Sequence, residues 1–206
     1  AAQTAGNTPI DVGGMHIDLL AFPGHKGLLG PQGTGCLYVG EGITLDTLKE
    51  GGTGSLSESL DQPDFLPDRY ESGTLNTPGI AGLNEGIKFI LETGIGSIRE
   101  HEKQLVRYML EGLKEINKVK VYGSGDLEQR TGVISIAIDQ KDCHEVCAEL
   151  DEKYGVAVRG GLHCACLAHE TLGTLRTGTI RFSIGYFNTI EDINKALAAV
   201  RAIAGA

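Results

Sequence analysis

One lysine in a glycine-rich turn constrains this chain more than any other feature of its sequence. Lys26 lies near the start of the segment Gly24 to Gly35, in which glycine recurs every few residues. An apolar run over residues 19–22 precedes the segment, and a second run over residues 36–39 follows it. Short apolar runs bounded by glycine and proline are typical of buried strands, so the pattern predicts two strands joined by the lysine turn.

The glycines around Lys26 would let backbone and a planar ligand approach closely, so we expect its amine to be poorly solvated. Desolvation lowers the pKa of an amine and frees its lone pair for attack on a carbonyl carbon. That chemistry is typical of a lysine that forms a Schiff base. The alternative is a lysine at a hairpin tip that points into water, which is the commoner case for an isolated glycine-flanked lysine.

Composition indicates a globular protein, and the net charge argues against two classes of binding partner, nucleic acids and anionic membranes. The chain has 206 residues, of which 41% are hydrophobic, enough to build a core. Its net charge of -9 and its pI near 5.1 oppose binding to nucleic acid or to an anionic membrane, and no local basic patch compensates. No apolar run approaches the ~20 residues needed to span a bilayer. We therefore expect no nucleic-acid partner and no membrane association.

The cysteines indicate a reducing compartment, the cytoplasm. Their number is odd and their spacing lacks the regularity of a disulfide framework, which favours free thiols. The chain contains Cys36, Cys143, Cys147, Cys164 and Cys166. Cys143 and Cys147 lie four residues apart on a predicted helix, where we expect them to be small buried hydrophobic residues.

A second dense segment runs from Val158 to Cys166. Its pattern predicts a strand that ends in a Gly-Gly loop, and this loop presents His163 and Cys164 with little steric bulk around them. A thiol exposed in this way, near Arg159 or a protonated histidine, is held partly as thiolate. The segment therefore favours a reactive Cys164.

Two other interpretations of this segment remain open on the residues alone. His163, Cys164, Cys166 and His169 are residue types that bind zinc, although Cys-x-Cys is tighter than the usual zinc knuckle. Cysteine and histidine also cooperate in hydrolases, but sequence neighbours on an extended loop point apart, and no orienting carboxylate is evident. Of the three interpretations we favour the reactive thiol and expect no metal.

The periodicity predicts an α/β protein in three parts. Residues 1–80 carry short strands and glycine-rich loops, as at the edge of an α/β sheet, residues 81–117 form connecting helices, and residues 118–206 form a second domain of α+β type. The first predicted helix begins near Ile80 and stops at Gly94, and further helices are predicted over 97–117, 142–154 and 190–203. The strands predicted in the second domain cover 118–122, 132–138, 156–158 and 179–184.

The first predicted helix has Thr77 as its cap, followed by a proline in the first turn. Helical spacing places several apolar residues on one inward face. These residues are Ile80, Leu83, Ile87, Ile90 and Leu91.

Several motifs occur together in the order found in one enzyme family. They are Ala2-Gln3-Thr4-Ala5-Gly6, Gly24-His25-Lys26, Gly30-Pro31-Gln32-Gly33-Thr34-Gly35, the segment Arg69 to Gly79, the Arg-x-Gly-x-His-Cys-Ala loop at 159–165, and the segment Thr179 to Thr189. With these motifs the chain resembles the class V aminotransferase-like enzymes that depend on pyridoxal 5'-phosphate (PLP), and among them the cysteine desulfurases. The resemblance covers nearly the whole chain. It implies the C-terminal half of a fold-type-I PLP-dependent transferase, with a partial large domain and an α+β small domain.

The resemblance implies a role for each site residue of the first segment. Lys26 would form the Schiff base with PLP, Gln3 would contact the phenolic oxygen, and His25 would help to anchor the phosphate. Thr74 would donate to the phosphate across the interface of a homodimer. The family usually has a hydroxyl residue near this histidine that donates to the phosphate, and here that position is Pro23, which has no hydrogen to donate.

In the second segment, the resemblance makes Cys164 the residue that carries a persulfide. Arg181 would bind the substrate carboxylate, with Arg159 beside it in the substrate site. The implied reaction converts L-cysteine, or a related amino acid, to L-alanine, and a sulfur-acceptor protein would then discharge the persulfide. Three alternatives remain open: another class V aminotransferase, a selenocysteine lyase-like enzyme, and a folded but inactive fragment.

We expect Lys26→Ala in the full-length protein to abolish the PLP adduct that borohydride traps, because no other amine would occupy the glycine-rich turn. Peptide mapping of the reduced adduct checks this. An adduct mapped to a different lysine would overturn the assignment.

Overall fold

The computed structural model describes residues 1–205, which divide into two compact units. The first unit is Ala1–Ile95 and the second begins at Gly96. The division therefore falls inside the 81–117 segment that the sequence assigns to connecting helices. No helix among residues 1–205 is both long enough and apolar enough to cross a membrane.

The first unit contains one hairpin, one long loop and one helix. Strand β1 (Leu19–Pro23) pairs antiparallel with β2 (Gly35–Val39), with Leu19 opposite Val39 and Pro23 opposite Gly35. Residues 40–76 are irregular apart from a 3-10 turn at Asp68–Tyr70, and helix α1 follows at Thr77–Thr93. The predicted strand–turn–strand arrangement around Lys26 is confirmed, but the expected burial of the strands is wrong, since Leu19 is 46% exposed and Leu37 is 51% exposed.

Helix α1 departs from the sequence prediction at its cap. The cap is Asn76, one residue before Thr77, and the Asn76 side-chain oxygen accepts a hydrogen bond from the Gly79 amide at 3.1 Å. At the other end Gly94, with φ of 85°, stops the helix as predicted.

The predicted inward face of α1 is wrong at two positions. Leu83 and Ile90 are buried, but Ile80 and Leu91 are 50% and 69% exposed. The helix packs instead through its glycines, since a Cβ added at Gly86 would lie 2.4 Å from the Leu28 carbonyl oxygen. The packed side of α1 thus includes Gly86, and Ile80 and Leu91 lie outside it.

The second unit is a four-stranded antiparallel sheet with helices. Its sheet order is β3-β4-β6-β5, so β6 is a central strand and β5 an edge strand. In chain order the elements are α2 (Ile95–Lys114), β3 (Val119–Tyr122), a 3-10 turn (Leu127–Gln129), β4 (Val133–Ile138), α3 (Cys143–Tyr154), β5 (Arg159–Gly161), α4 (Cys166–Thr171), β6 (Thr179–Ser183) and α5 (Ile190–Ala204).

The strand predicted at 156–158 is wrong. The Val156 amide donates to the Leu150 carbonyl at 2.9 Å, so it closes the end of α3 after Gly155 instead of pairing in the sheet. Pairing with β6 begins only at Arg159. The short helix α4, which starts at Cys166, was not predicted.

The core of the second unit lies between the sheet and helices α2, α3 and α5. Strand β4 alternates half-buried and buried residues, which places Ile134, Ile136 and Ile138 on the core face. The fully buried side chains include Met109, Leu113, Ile134, Ile136 and Leu150. This packing fixes β6, and β6 in turn carries Arg181.

We expect Leu150→Ala to lower the free energy of unfolding of the chain by about 2–5 kcal/mol, because the leucine is fully buried and its removal leaves a cavity. Leu167→Ala is the matched control, since Leu167 is 78% exposed, and should change the free energy by less than about 0.5 kcal/mol. Urea unfolding followed by circular dichroism measures both. Equal losses would contradict the packing described here.

Candidate active site

The lysine turn is closed by its own backbone. The Gly24 amide donates to the Thr34 carbonyl at 2.8 Å, and the Gly30 amide donates to the Gly24 carbonyl at 2.8 Å. Within this loop the Leu29 amide donates to the Lys26 carbonyl at 2.9 Å. Lys26 therefore sits at the tip of a hydrogen-bonded loop that follows β1.

A contact between two glycines joins the Gln3 turn to the lysine turn. A Cβ added at Gly6 would lie 2.1 Å from the Gly27 carbonyl oxygen, and one added at Gly27 would lie 2.4 Å from the Ala5 carbonyl oxygen. No side chain fits in either position. The structure thus brings two of the motifs found in the sequence into direct backbone contact.

The expectation that Lys26 is poorly solvated is wrong for this chain. Lys26, His25 and Gln3 are all exposed. The reason is that Gly27 packs its backbone against Ala5 and Gly6, so the glycine beside Lys26 serves loop packing and adds no cover over the amine. The three side chains remain available to a ligand on this surface.

Thr74 lies at the end of the long loop, in the exposed stretch before the Asn76 cap. That cap is close to the β1–β2 connection, because a Cβ added at Gly33 would lie 3.7 Å from Asn76 Nδ2. Because Thr74 is exposed, its hydroxyl is accessible, as a phosphate donor requires.

The loop after β5 has an unusual backbone. His163 and Cys164 adopt positive φ values of 53° and 60°, a left-handed conformation that non-glycine residues rarely occupy. A hydrogen bond from the Ala165 amide to the Leu162 carbonyl at 2.9 Å closes the turn. Such conformations persist where the surrounding structure imposes them, and they cluster at functional sites. The loop is therefore bent, and the expectation that it is extended is wrong.

Arg159 contacts both residues of this turn. Its guanidinium Nη2 lies 3.8 Å from Cys164 Sγ, and its carbonyl oxygen accepts a hydrogen bond from His163 Nε2 at 2.8 Å. Because a carbonyl only accepts, His163 Nε2 carries the proton. Cys164 is exposed, so its sulfur is held by a cation while it remains accessible.

Strand pairing places two arginines side by side. Arg159 is directly opposite Arg181 in the antiparallel β5–β6 pair, and residues directly opposite share one face of the sheet. Among residues 1–205 neither guanidinium forms a salt bridge, and Arg181 Nε is buried without a hydrogen-bond partner. Two adjacent cations with an unused donor form a site suited to a carboxylate.

Burial lowers the pKa of His163 below its usual 6.5, and the positive charge of Arg181 lowers it further. The hydrogen bond to the Arg159 carbonyl acts in the opposite direction and is the smaller effect relative to burial. The imidazole next to Cys164 is therefore neutral near pH 7.

Sequence reasoning named His169 only as a candidate zinc ligand and missed Thr174, which holds its ring. His169 is buried, its Nδ1 is 2.8 Å from Thr174 Oγ1, and its ring centroid is 5.6 Å from that of His163. The five-residue spacing of His169 and Thr174 gives no signal of their contact, because that contact depends on the turn after α4. Within residues 1–205 no three His, Cys, Asp or Glu side chains cluster as metal ligands would.

The comparison with known proteins identifies the family. The chain matches the model of the aminotransferase class-V family over residues 1–196, and it belongs to that family.

Its relatives carry a more specific description. The chain is 38% identical to a probable cysteine desulfurase from Methanothermobacter thermautotrophicus, over 100% of this chain and 52% of the relative. It is also similar to the apo structure of a cysteine desulfurase from Thermococcus onnurineus, with a TM-score of 0.85 and 35% identity, over 100% of this chain and 51% of that one. A cysteine desulfurase structure from Escherichia coli gives a TM-score of 0.88 at 27% identity, over 98% and 50%. The chain thus spans about half the length of the relatives it matches.

We expect Arg181→Met to raise the pKa of His163, because the substitution removes a positive charge that opposes protonation of the imidazole. An NMR titration of the His163 ring protons measures the shift. Arg176→Met, at an exposed arginine in the same unit, is the control and should leave the titration unchanged. An unchanged His163 titration in Arg181→Met would show that the two charges do not interact.

Proposed function

We propose that this chain is part of a PLP-dependent cysteine desulfurase, which converts L-cysteine to L-alanine and leaves a persulfide on Cys164. One observation carries the proposal. An exposed cysteine in a left-handed turn contacts Arg159, which itself stands opposite the unpaired Arg181. The thiol that would accept sulfur, in the loop after β5, thus lies beside Arg159 and the paired strand β6, which would bind the carboxylate.

The lysine turn fits the cofactor of this family. Aminotransferase class-V enzymes use PLP, and the accessible amine, amide and imidazole of Lys26, Gln3 and His25 lie on two loops in direct contact. Lys26 would hold PLP covalently, Gln3 would bind its phenolic oxygen, and His25 and Thr74 its phosphate. When bound, PLP supplies the electron sink that lets bonds at the substrate carbons break.

Arg181 and Arg159 would bind the carboxylate of L-cysteine. A guanidinium presents paired donors that match a carboxylate, and the buried Arg181 Nε lacks any other acceptor. This contact orients the substrate relative to Cys164. The neutral His163, whose Nε2 hydrogen is used by the Arg159 carbonyl, keeps the turn in its bent conformation.

Cys164 would take the substrate sulfur. Its sulfur attacks the sulfur of L-cysteine, an S–S bond forms as the substrate C–S bond breaks, and a persulfide remains on the protein. The exposure of Cys164 allows a sulfur-acceptor protein to remove that sulfur. We further propose a homodimer in the cytoplasm, a compartment where exposed thiols stay reduced.

We expect Cys164→Ala in the full-length holoenzyme to abolish persulfide formation from L-cysteine, because no other exposed thiol occupies the Arg159 turn in the same way. Mass spectrometry of the alkylated protein detects the extra sulfur atom. Cys36→Ala, at an exposed cysteine on β2, is the control and should capture sulfur as the unaltered enzyme does. Transfer of an amino group from L-cysteine to a keto acid with no sulfur captured would favour an aminotransferase instead.

A further inference from the structure

We infer that Cys166 is a resolving thiol for the sulfur carried by Cys164, so that the protein can release sulfide by itself and form a Cys164–Cys166 disulfide. The inference rests on the proposed desulfurase function, which supplies the persulfide. It concerns a residue with no role in the reaction described above.

The backbone places the two cysteines within reach of each other. Two residues span at most about 7 Å when fully extended, and a disulfide joins Cα atoms about 4.4–6.8 Å apart. The intervening Ala165 has φ of -134° and ψ of 48°, which is bent rather than extended, so the Cα separation falls below the extended limit. Both cysteines are exposed, and Cys164 Sγ contacts the exposed Arg159 guanidinium at 3.8 Å, so Cys166 can approach Cys164 from the solvent side.

Neighbouring hydrogen bonds fix this arrangement. The Ala165 amide donates to the Leu162 carbonyl at 2.9 Å, and the His169 amide donates to the Ala165 carbonyl at 3.0 Å. His169 is in turn held by Thr174. The turn that carries Cys164 and the first residue of α4, Cys166, are therefore parts of one bonded structure.

The other thiols of the second unit are unsuited to this reaction. Cys143 is buried, and burial raises its pKa. Burial also raises the pKa of Cys147 to about 11, which leaves it almost entirely as the thiol at neutral pH. Among the described residues of this unit, Cys166 is the accessible thiol besides Cys164.

The chemistry balances without an external oxidant. The Cys166 thiolate attacks Cys164 Sγ of the persulfide, the new Cys164–Cys166 bond forms, and the outer S–S bond breaks with its electron pair on the departing hydrosulfide. The two cysteine sulfurs are oxidised and the transferred sulfur is reduced to sulfide. A dithiol reductant then restores both thiols for the next cycle.

A single-turnover experiment tests the inference in the full-length holoenzyme. One equivalent of L-cysteine is added without reductant, the reaction is quenched by alkylation, and non-reduced peptides and sulfide are measured. The unaltered enzyme should yield the Cys164–Cys166 disulfide and equimolar sulfide, and dithiothreitol should return both thiols. Cys166→Ser should keep the extra sulfur on Cys164 and release no sulfide, whereas the control Cys36→Ser should behave as the unaltered enzyme.

Oxidation by diamide provides a test that needs no turnover. It should link Cys164 to Cys166 in the unaltered protein, and the link should be absent in Cys166→Ser. Persulfide that persists on Cys164 in the unaltered enzyme, or moves intact to Cys166, would overturn the resolving role while desulfurase function stands. If Cys166→Ser forms no persulfide and the unaltered enzyme releases no sulfide, the proposed function is refuted and this inference with it.

Discussion

The antiparallel pairing of β5 with β6 is the constraint on which the cysteine site depends. It comprises three residue pairs and places Arg159 directly opposite Arg181. Like charges in this position repel each other, so the pairing is unfavourable at that step. The core holds it, because Ile180 and Phe182 of β6 are buried on the opposite face. Hydrophobic packing thus enforces the proximity of two cations.

The same pairing determines where the loop that carries Cys164 begins. Strand β5 ends at Gly161, and the left-handed His163 and Cys164 follow at once. A left-handed conformation outside glycine costs about 1–3 kcal/mol per residue at such sites. The hydrogen bond between His163 and the Arg159 carbonyl helps to offset that cost. One arginine therefore contacts the sulfur through its side chain and stabilises the turn through its backbone.

Much of this architecture could be predicted from the sequence, since local patterns determine it. Alternation predicts β4, and Gly94 predicts a helix end, because both depend on nearby residues. The solvation of Lys26 and the Arg159–Arg181 opposition could not be predicted in this way. They depend on strand register and on which backbone fills the space beside a glycine, which are tertiary properties. Motifs singled out the Lys26 and Cys164 segments as candidate site segments, but only the fold shows which residues they contact.

The unpartnered Arg181 Nε affects the stability of the second unit. A buried donor without an acceptor destabilises the folded state by about 1–3 kcal/mol. In the carboxylate site proposed for Arg181, a ligand oxygen that accepted this hydrogen would recover that free energy on binding. A substitution that gave this donor an acceptor within the protein would then stabilise the fold and weaken the proposed carboxylate binding.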